Sequence, residues 1–156
     1  MSATEESARQ ESLRRLDVLV GAWGVEADFP GLAAPVAHSV FEWTLDGRFL
    51  IQHTKIPIAE APDSMAIIAV DPETGAYTQH YFDSRGVVRL YAMTFADGMW
   101  RLLRETPDFS PLAFRQRFTG DVDDDGDTIH GTWETSPTGG PAAWERDFTV
   151  TYRRSR

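Results

Sequence analysis

Four histidines are the side chains of this sequence best suited to proton transfer or metal binding: His38, His53, His80 and His130. No two of them stand in an H-x-H, H-x-x-x-H or H-E-x-x-H pattern, so the sequence predicts no metal site on one strand or one helix. His53 and His80 fall in the middle of predicted strands, where an imidazole facing a cavity could bind heme iron or act as an acid or base. The alternative for each is a surface or hydrogen-bonded histidine.

Residues 121–126 resemble the first half of an EF-hand calcium loop. Aspartates occupy the first, third and fifth loop positions, and a glycine follows at the sixth. The last ligand position holds Thr132 where a bidentate glutamate is needed, and the flanking segments have the pattern of strands. We interpret the segment as an acidic turn between two strands, with a weak cation site as the alternative.

Arginines and aromatic residues supply the other groups suited to binding. The predicted strands contain Arg89 and Arg146, and a guanidinium can hold a ligand carboxylate bidentately. Most of the five tryptophans are expected in the core, with a subset lining any hollow interior beside Tyr81 and Tyr91. Glu42 and Glu134 are isolated carboxylates, and no G-x-S-x-G, P-loop or G-x-G-x-x-G motif is present.

Bulk composition excludes several classes of function. The net charge of −9 argues against nucleic acid and against anionic membranes as partners, and Arg153, Arg154 and Arg156 are interpreted as a solvated tail. The absence of cysteine excludes disulfides, thiolate catalysis and zinc–sulfur sites. With neither a signal-peptide pattern nor an apolar run of membrane-spanning length, the predicted location is the cytoplasm.

The elements that must position these residues are one helix and many strands. Ala8, Leu13, Leu16 and Val20 form a helical stripe that ends near Gly21. Short runs between Gly, Asp and Pro turns then predict ten strands. Their ranges are 22–29, 37–45, 49–56, 64–70, 77–83, 87–95, 99–104, 113–119, 128–135 and 143–152.

Connections this short make neighbouring strands antiparallel. An open meander would leave two edges unpaired, so the prediction is an all-β antiparallel ten-stranded meander closed into a barrel. In the last strand, Trp144, Phe148, Val150 and Tyr152 are expected to share one face. The predicted organisation is a helical cap over residues 1–20 and a single barrel domain over residues 21–156.

Several short segments of the sequence resemble segments of known barrel proteins. Gly21-Ala22-Trp23 resembles the G-x-W signature of lipocalins and other calycins, and residues 43–50 (WTLDGRFL) resemble a hairpin of the bacterial, calycin-like DUF1579-like family of unknown function. Residues 81–86, 117–120, 131–134 and 144–152 resemble further blocks of that family. The resemblance implies a calycin-like barrel of the fatty-acid-binding-protein or nitrobindin type and no established activity.

The resemblance also implies roles for particular residues. In lipocalin-like barrels an arginine of the last strand packs over the G-x-W tryptophan, which would place Arg146 on Trp23 as a structural cation–π contact. A nitrobindin-like heme would need an axial histidine late in the barrel, and His130 is the latest one in this chain.

The leading hypothesis is a protein that binds a small hydrophobic or amphipathic molecule, with no metal and no required cofactor. Its predicted ligand-binding residues are Trp43, His53, His80, Arg89, Tyr91, Gln116 and Trp133. The alternatives are a cavity enzyme with a histidine acid or base, a nitrobindin-like heme protein, and a structural barrel whose exterior is an interaction surface, with homodimerisation through its strands conceivable.

Because the helical stripe has no other apolar surface to cover, removal of residues 1–20 is expected to lower the thermal stability of the barrel and its uptake of ligand. Thermal unfolding and a binding titration on the truncated chain measure both. Unchanged values in both would contradict the interpretation of the helix as a cap.

Overall fold

The structure is a computed structural model and describes residues 3–28 and 36–155. It opens with helix α1 (Ala3–Arg15) and a 3₁₀ turn (Leu16–Leu19). Ten strands follow within the described residues: β1 (Gly21–Asp28), β2 (Ala37–Thr44), β3 (Phe49–Lys55), β4 (Ser64–Val70), β5 (Tyr77–Asp83), β6 (Val88–Ala96), β7 (Met99–Arg104), β8 (Phe114–Val122), β9 (Thr128–Pro137) and β10 (Glu145–Arg154).

The strands form one closed antiparallel barrel. Each strand pairs with the next along the chain, and β1 closes the ring against β10, with Trp23 opposite Arg154 and Asp28 opposite Thr149. Closure satisfies the backbone groups that an open sheet would leave unpaired at its two edges. The predicted ten-stranded meander closed into a barrel is confirmed.

Tight turns set the register of the hairpins. The β6–β7 turn has Asp97 at φ 55° and Gly98 at φ 74°, the left-handed pair that a two-residue turn requires, and it places Ala96 opposite Met99. Between β8 and β9, Gly120 lies opposite Gly131, and the ring of Phe118 occupies the space above both. A Cβ at Gly131 would lie 2.5 Å from that ring, so these glycines make room for an aromatic side chain inside the barrel.

The N-terminal segment covers one end of the barrel. Leu13, Leu16 and Leu19 are buried in the same core as the inward-facing strand residues. Ser12 anchors the helix, since its hydroxyl donates to the carbonyl of Gly75 (2.7 Å) and its own carbonyl accepts from the Tyr77 hydroxyl (2.7 Å). The end of the barrel covered by α1 is called the capped end below, and the opposite end the open end.

The helix differs from its prediction in where it stops. The α-helix ends at Arg15, and the chain continues as a 3₁₀ turn to Leu19. Three residues per turn place Leu16 and Leu19 on one side, so both reach the core. Within the described residues, no helix combines the length and the apolar character needed to cross a bilayer.

Nine of the ten predicted strands are found within two residues of their predicted bounds, the exception is β8, and the largest shift among the other nine is that of β10, by two residues at each end. Strand β8 continues to Val122, three residues beyond its prediction, and β10 runs from Glu145 to Arg154. The prediction that β1 includes Phe29 concerns a position outside the described residues.

Strand β10 contains an irregularity between Arg146 and Phe148, where the register with β9 shifts by one residue. The prediction that Trp144 shares a face with Phe148 is therefore wrong. Phe148 packs against the core. Trp144 instead lies under the guanidinium of Arg117, with 4.3 Å between the Cζ atom of Arg117 and the centre of the Trp144 ring. Arg117 alternates with the buried Gln116 and Phe118, so this contact is on the outside of the barrel.

A single arginine ties the seam of the barrel to its cap. Arg154 lies 4.3 Å over the ring of Trp23 and donates to the carbonyls of Val18, Val20 and Gly126 at 2.6 to 2.9 Å. It also pairs with Asp127 at 3.0 Å. The expected cation–π contact on Trp23 therefore exists, but its assignment to Arg146 is wrong, since Arg146 is exposed. The interpretation of Arg154 as part of a solvated tail is wrong as well.

Replacing Arg154 by leucine is expected to lower the free energy of unfolding by about 2–4 kcal/mol, because it removes a cation–π contact and leaves backbone carbonyls without donors. Arg153→Leu is the matched control, since Arg153 is the neighbouring residue and is exposed. This substitution should change the free energy of unfolding by less than about 0.5 kcal/mol. Urea unfolding of both variants measures the difference. Equal effects of the two substitutions would contradict the proposed role of Arg154 in joining the seam to the cap.

Candidate functional site

Aromatic side chains fill the capped half of the barrel interior. The Trp100 ring lies 5.9 Å from Phe41, 5.0 Å from Phe118 and 6.2 Å from Tyr152, measured between ring centres. Trp23, Leu50, Ile68 and Ile129 complete this layer and have almost no exposed surface. These contacts fill the capped half with side chains, and Nε1 of Trp100 is buried there without a partner among the described residues.

Polar and aromatic side chains meet on the inner face of the open half. The hydroxyl of Tyr91 on β6 donates to Oε1 of Gln116 on β8 at 2.7 Å. The ring of Trp133 on β9 lies 5.9 Å from Tyr91 and 6.4 Å from Phe148, in a stacked arrangement with the latter. Burial raises the pKa of Tyr91, so its hydroxyl stays a neutral donor. Gln79, Tyr91, Gln116 and Trp133 are called the inner cluster below.

Gln79 is the member of the inner cluster that lacks a partner. It lies on β5 directly opposite Tyr91 of β6, and the residue is only 4% exposed. Its Oε1 atom is buried and accepts no hydrogen bond from any described residue. A buried amide in this state costs about 1–3 kcal/mol relative to a paired one. A buried polar atom without a partner points to a group that the protein alone does not supply.

A neighbouring set of polar side chains is, by contrast, connected. Gln52 on β3 donates from Nε2 to the hydroxyl of Ser39 at 2.8 Å, and Ser39 contacts the hydroxyl of Thr54 at 3.0 Å. A longer contact of 3.5 Å joins Gln52 Nε2 to the hydroxyl of Tyr152. These buried polar side chains therefore satisfy one another's hydrogen-bonding groups.

A cleft of about 380 Å³ opens at the rim beside the inner cluster. Its lining includes Arg89 and Arg104, together with Phe109, Ser110 and Phe114. Arg89 lies two residues before Tyr91 on β6, so both side chains are on the inward face of the strand. The Cζ atom of the Arg89 guanidinium is 5.7 Å from the centre of the Phe114 ring. No carboxylate among the described residues pairs with Arg89. Its charge is therefore available at the mouth, next to Tyr91, where it acts against the rise of the Tyr91 pKa that burial causes.

Arg104, the second cation of the rim, is neutralised. It forms a bidentate pair with Asp108 at 2.9 Å, with 5% of the arginine side chain and 6% of the aspartate side chain exposed. Asp108 also accepts the backbone N–H of Leu90 at 2.8 Å, which fixes the β7–β8 loop against β6. The hydrogen bond from Arg104 holds the pKa of Asp108 far below its ordinary value.

Tyr81 and Asp83 form a second closed unit at the rim. Burial acts to raise the pKa of Asp83, but hydrogen bonds from Arg85 and from the Tyr81 hydroxyl outweigh it and lower the value to about 2. Burial, together with this charged acceptor, raises the pKa of Tyr81 to about 12. The Tyr81 hydroxyl is therefore already committed to Asp83.

The structure brings together four of the seven residues predicted to bind a ligand. Arg89, Tyr91, Gln116 and Trp133 all face the open half. Trp43 faces the capped end, where its Nε1 donates to Asp17 at 3.2 Å. His53 and His80 do not join the cluster.

Strand parity explains the position of both histidines. On β3 the buried residues are Leu50 and Gln52, so His53 points outward and is exposed. On β5 the buried residues are Tyr77 and Gln79, so His80 lies on the outer face, 3.4 Å from the Thr78 hydroxyl. The expectation that these two mid-strand histidines face the interior is not met, because alternation reverses direction at every residue.

A histidine-ligated heme does not fit the barrel interior. His38 and His130 alternate with buried neighbours and are exposed on the outer face, as is His53, and His80 shares that orientation. His130 contacts Asp123 at 3.4 Å on the surface. No imidazole is thus directed at the lumen, where an axial ligand would have to stand. Glu134 is likewise engaged by Arg117 at 2.8 Å.

The acidic segment forms the β8–β9 turn. Its backbone closes through the N–H of Gly126 on the carbonyl of Asp123 (2.8 Å), and the N–H of Asp127 binds the Asp125 side chain (2.8 Å). In the part of the chain that the structure describes, no three acidic or histidine side chains are grouped as a metal site requires.

The comparisons with known proteins support the barrel fold and show nothing beyond the fold. The chain is similar to the crystal structure of Rv2717c from M. tuberculosis, with a TM-score of 0.60 over 93% of this chain and 98% of that chain. Sequence identity is 16%, so the similarity shows the fold alone. No family model matches the sequence, and no similar curated protein is found.

Sequence reasoning missed Gln79, although a signal for it was present. Tyr77, Gln79 and Tyr81 alternate along one strand, and two aromatic residues at this spacing indicate the inward face. A glutamine between them falls on that face. The absence of its partner, however, depends on where β4, β6 and β8 place their side chains, and no local pattern contains that information.

Acid is expected to destabilise the open end. Asp83 and Asp108 both have a folded-state pKa below the ordinary value, so their stabilisation is complete above about pH 4 and is lost as the pH falls toward 2. Asp108→Asn should lower the free energy of unfolding by about 3 kcal/mol at pH 7, because it leaves the Arg104 guanidinium buried and unpaired. The free energy of unfolding of this variant should also depend less on pH in the acidic range than that of the unmodified chain.

Urea unfolding between pH 2 and pH 7 measures both effects. Asp63→Asn, an exposed carboxylate at the same end, is the control and should behave as the unmodified chain does. An Asp108→Asn variant with an unchanged pH slope would show that the pair contributes nothing to folding.

Proposed function

We propose that this protein binds a small amphipathic molecule in the open half of its barrel. The observation that carries the proposal is the unpartnered Gln79 amide inside the inner cluster, beside the aromatic rings of Tyr91 and Trp133. A barrel with a purely structural interior gains stability by placing an apolar side chain at such a position. An amide kept at this position is available to hydrogen-bond a molecule bound beside it.

The aromatic side chains would supply most of the binding energy. Apolar surface removed from water stabilises a complex by about 25 cal/mol per Å². The rings of Trp133 and Phe148, which stack at 6.4 Å, offer a flat apolar wall for this purpose. The polar groups of the inner cluster would then fix the orientation of the bound molecule.

The rim cleft, lined by Arg89 and Arg104, is the proposed entrance to this site. Arg89 stands at the mouth with no carboxylate partner among the described residues, whereas Arg104 is held by Asp108. A ligand would therefore enter past Arg89 with its apolar part leading, and its outer end would lie near one available positive charge.

Titration with 1-anilinonaphthalene-8-sulfonate, a fluorescent amphipathic probe, tests the proposal. We expect saturable binding of one probe per chain, weakened at least about tenfold by Trp133→Leu, because the stacking wall is lost. His53→Ala alters the outer face at mid-strand and should leave the dissociation constant within about twofold.

Trp133→Phe retains a ring and should give an intermediate affinity, and thermal unfolding verifies that each variant is folded. Probe binding that does not saturate, or that is weakened equally by His53→Ala and Trp133→Leu, would refute a site in the open half of the lumen.

A further inference from the structure

Arg89 keeps hydrogen-bond donors that no described carboxylate accepts. A guanidinium carries five N–H donors in a planar fork. Arg89 contacts the ring of Phe114, 5.7 Å from its Cζ atom, and lies beside the hydroxyl of Tyr91. A ring face and one phenol oxygen engage only part of this set of donors. The others remain for a molecule from outside the chain.

Two ion pairs at the rim are already complete. Arg104 is held by Asp108 at 2.9 Å, and Arg85 by Asp83 at 2.6 Å. Each pair contains one positive and one negative charge, so neither carboxylate is left to neutralise Arg89. None of the described residues that line the rim cleft is acidic.

The cleft therefore presents one positive charge without an opposite one, in a chain whose net charge is −9. Asp63 and Glu105 belong to the same end of the barrel, but both are exposed and neither lines the cleft. A single negative charge in the cleft is attracted by Arg89. A second one would lose hydration without gaining a partner, and a cation would be repelled. The charge pattern thus favours a monoanion.

The guanidinium also selects the kind of anion. Its fork donates two parallel N–H···O bonds to the two oxygens of a carboxylate, which is the bidentate arrangement that arginine favours. The cleft has a volume of about 380 Å³. This is near the lower end of the range for ligand sites, about 300–1,000 Å³, and suits one or two rings better than a long chain.

The apolar part of the lining favours an aromatic ring. Phe109 and Phe114 line the cleft from the side of β8, and Val87 and Val88 line it from the side of β6. Phe109 is 74% exposed, so a ring that covers it removes apolar surface from water. Contacts between aromatic rings add to the gain from burial alone.

This wall of the cleft is fixed by hydrogen bonds within the protein. Asp108 accepts the backbone N–H of Leu90 at 2.8 Å, and the Ser110 hydroxyl donates to the carbonyl of Val88 at 3.3 Å. Both bonds join the loop after β7 to strand β6. Because the loop is held in this way, a ligand spends little binding energy on ordering it.

From these observations we propose that the rim cleft binds an aromatic monocarboxylate, with the carboxylate on the guanidinium of Arg89 and the ring against Phe109 and Phe114. The inference rests on the ligand-binding function above and specifies the chemistry of the ligand's outer end, which that function leaves open.

Isothermal titration calorimetry with three bicyclic probes tests this inference. The probes are 2-naphthoate, 2-naphthamide, which has the same shape without the charge, and decahydro-2-naphthoate, which has the charge without the aromatic rings. We expect 2-naphthoate to bind at least about tenfold more tightly than the amide, because charge-assisted hydrogen bonds are about twice as strong as neutral ones. The saturated acid should bind about threefold to tenfold more weakly than 2-naphthoate, since the ring contacts are lost.

Arg89→Met removes the guanidinium and keeps an apolar side chain, so the preference for 2-naphthoate over the amide should fall below about threefold. Arg89→Lys retains the charge without the fork and should give an intermediate preference. Arg101→Met is the matched control, because it removes one positive charge from an exposed position on the outer face of β7. This control should retain the full preference, and thermal unfolding verifies that each variant is folded.

The outcomes separate this inference from the proposed function. Equal affinity for 2-naphthoate and 2-naphthamide, or a preference that survives Arg89→Met, overturns the inference while binding of the fluorescent probe stands. A saturated acid that binds as tightly as 2-naphthoate overturns the aromatic part of it. If Arg89→Met abolishes the preference but Trp133→Leu leaves the fluorescent probe bound as before, the cleft site stands and the site in the open half falls. If neither 2-naphthoate nor the fluorescent probe binds, both proposals are overturned.

Discussion

The hydrogen-bonded seam between β1 and β10 is the constraint on which the rest of the structure depends. It sets Trp23 opposite Arg154, and the guanidinium then reaches the carbonyls of Val18 and Val20 in the capping segment. Gly21 has φ 126°, and a Cβ there would lie 2.9 Å from the guanidinium, so the glycine gives the arginine its room. One side chain thus connects the first strand, the last strand and the cap.

Closure at this seam creates two unlike halves inside one barrel. The capped half contains interlocking rings around Trp100 and Phe118, which is the packing expected of a structural core. The open half contains amides and hydroxyls, and one of them, Gln79, lacks a partner. The two halves therefore differ in the kind of side chain that fills them.

The sequence predicted the architecture well because strand alternation and turn residues are local signals. Strands β4, β5 and β7 have their predicted bounds, and turns such as Asp97-Gly98 need only two residues to be recognised. The errors occur where one residue changes the parity of a strand. The irregularity after Arg146 reverses the side to which Trp144 points, and an end misplaced by two residues concealed Arg154.

The site was predictable only in part, for a related reason. Tyr91, Gln116 and Trp133 come from three different strands, and each has the size or polarity typical of a lining residue. His53 and His80 were chosen for their chemistry, but alternation places both outside. Which buried group remains without a partner is decided by long-range packing, because Tyr91 donates across the barrel to Gln116 rather than to its neighbour Gln79.

A crystal structure of the protein soaked with 1-anilinonaphthalene-8-sulfonate tests the central claim most directly. The account predicts electron density for one probe molecule beside Tyr91 and Trp133 in the open half of the barrel. Density for an ordered water on Gln79, with the probe absent from the lumen or bound only to the outer surface, would contradict it.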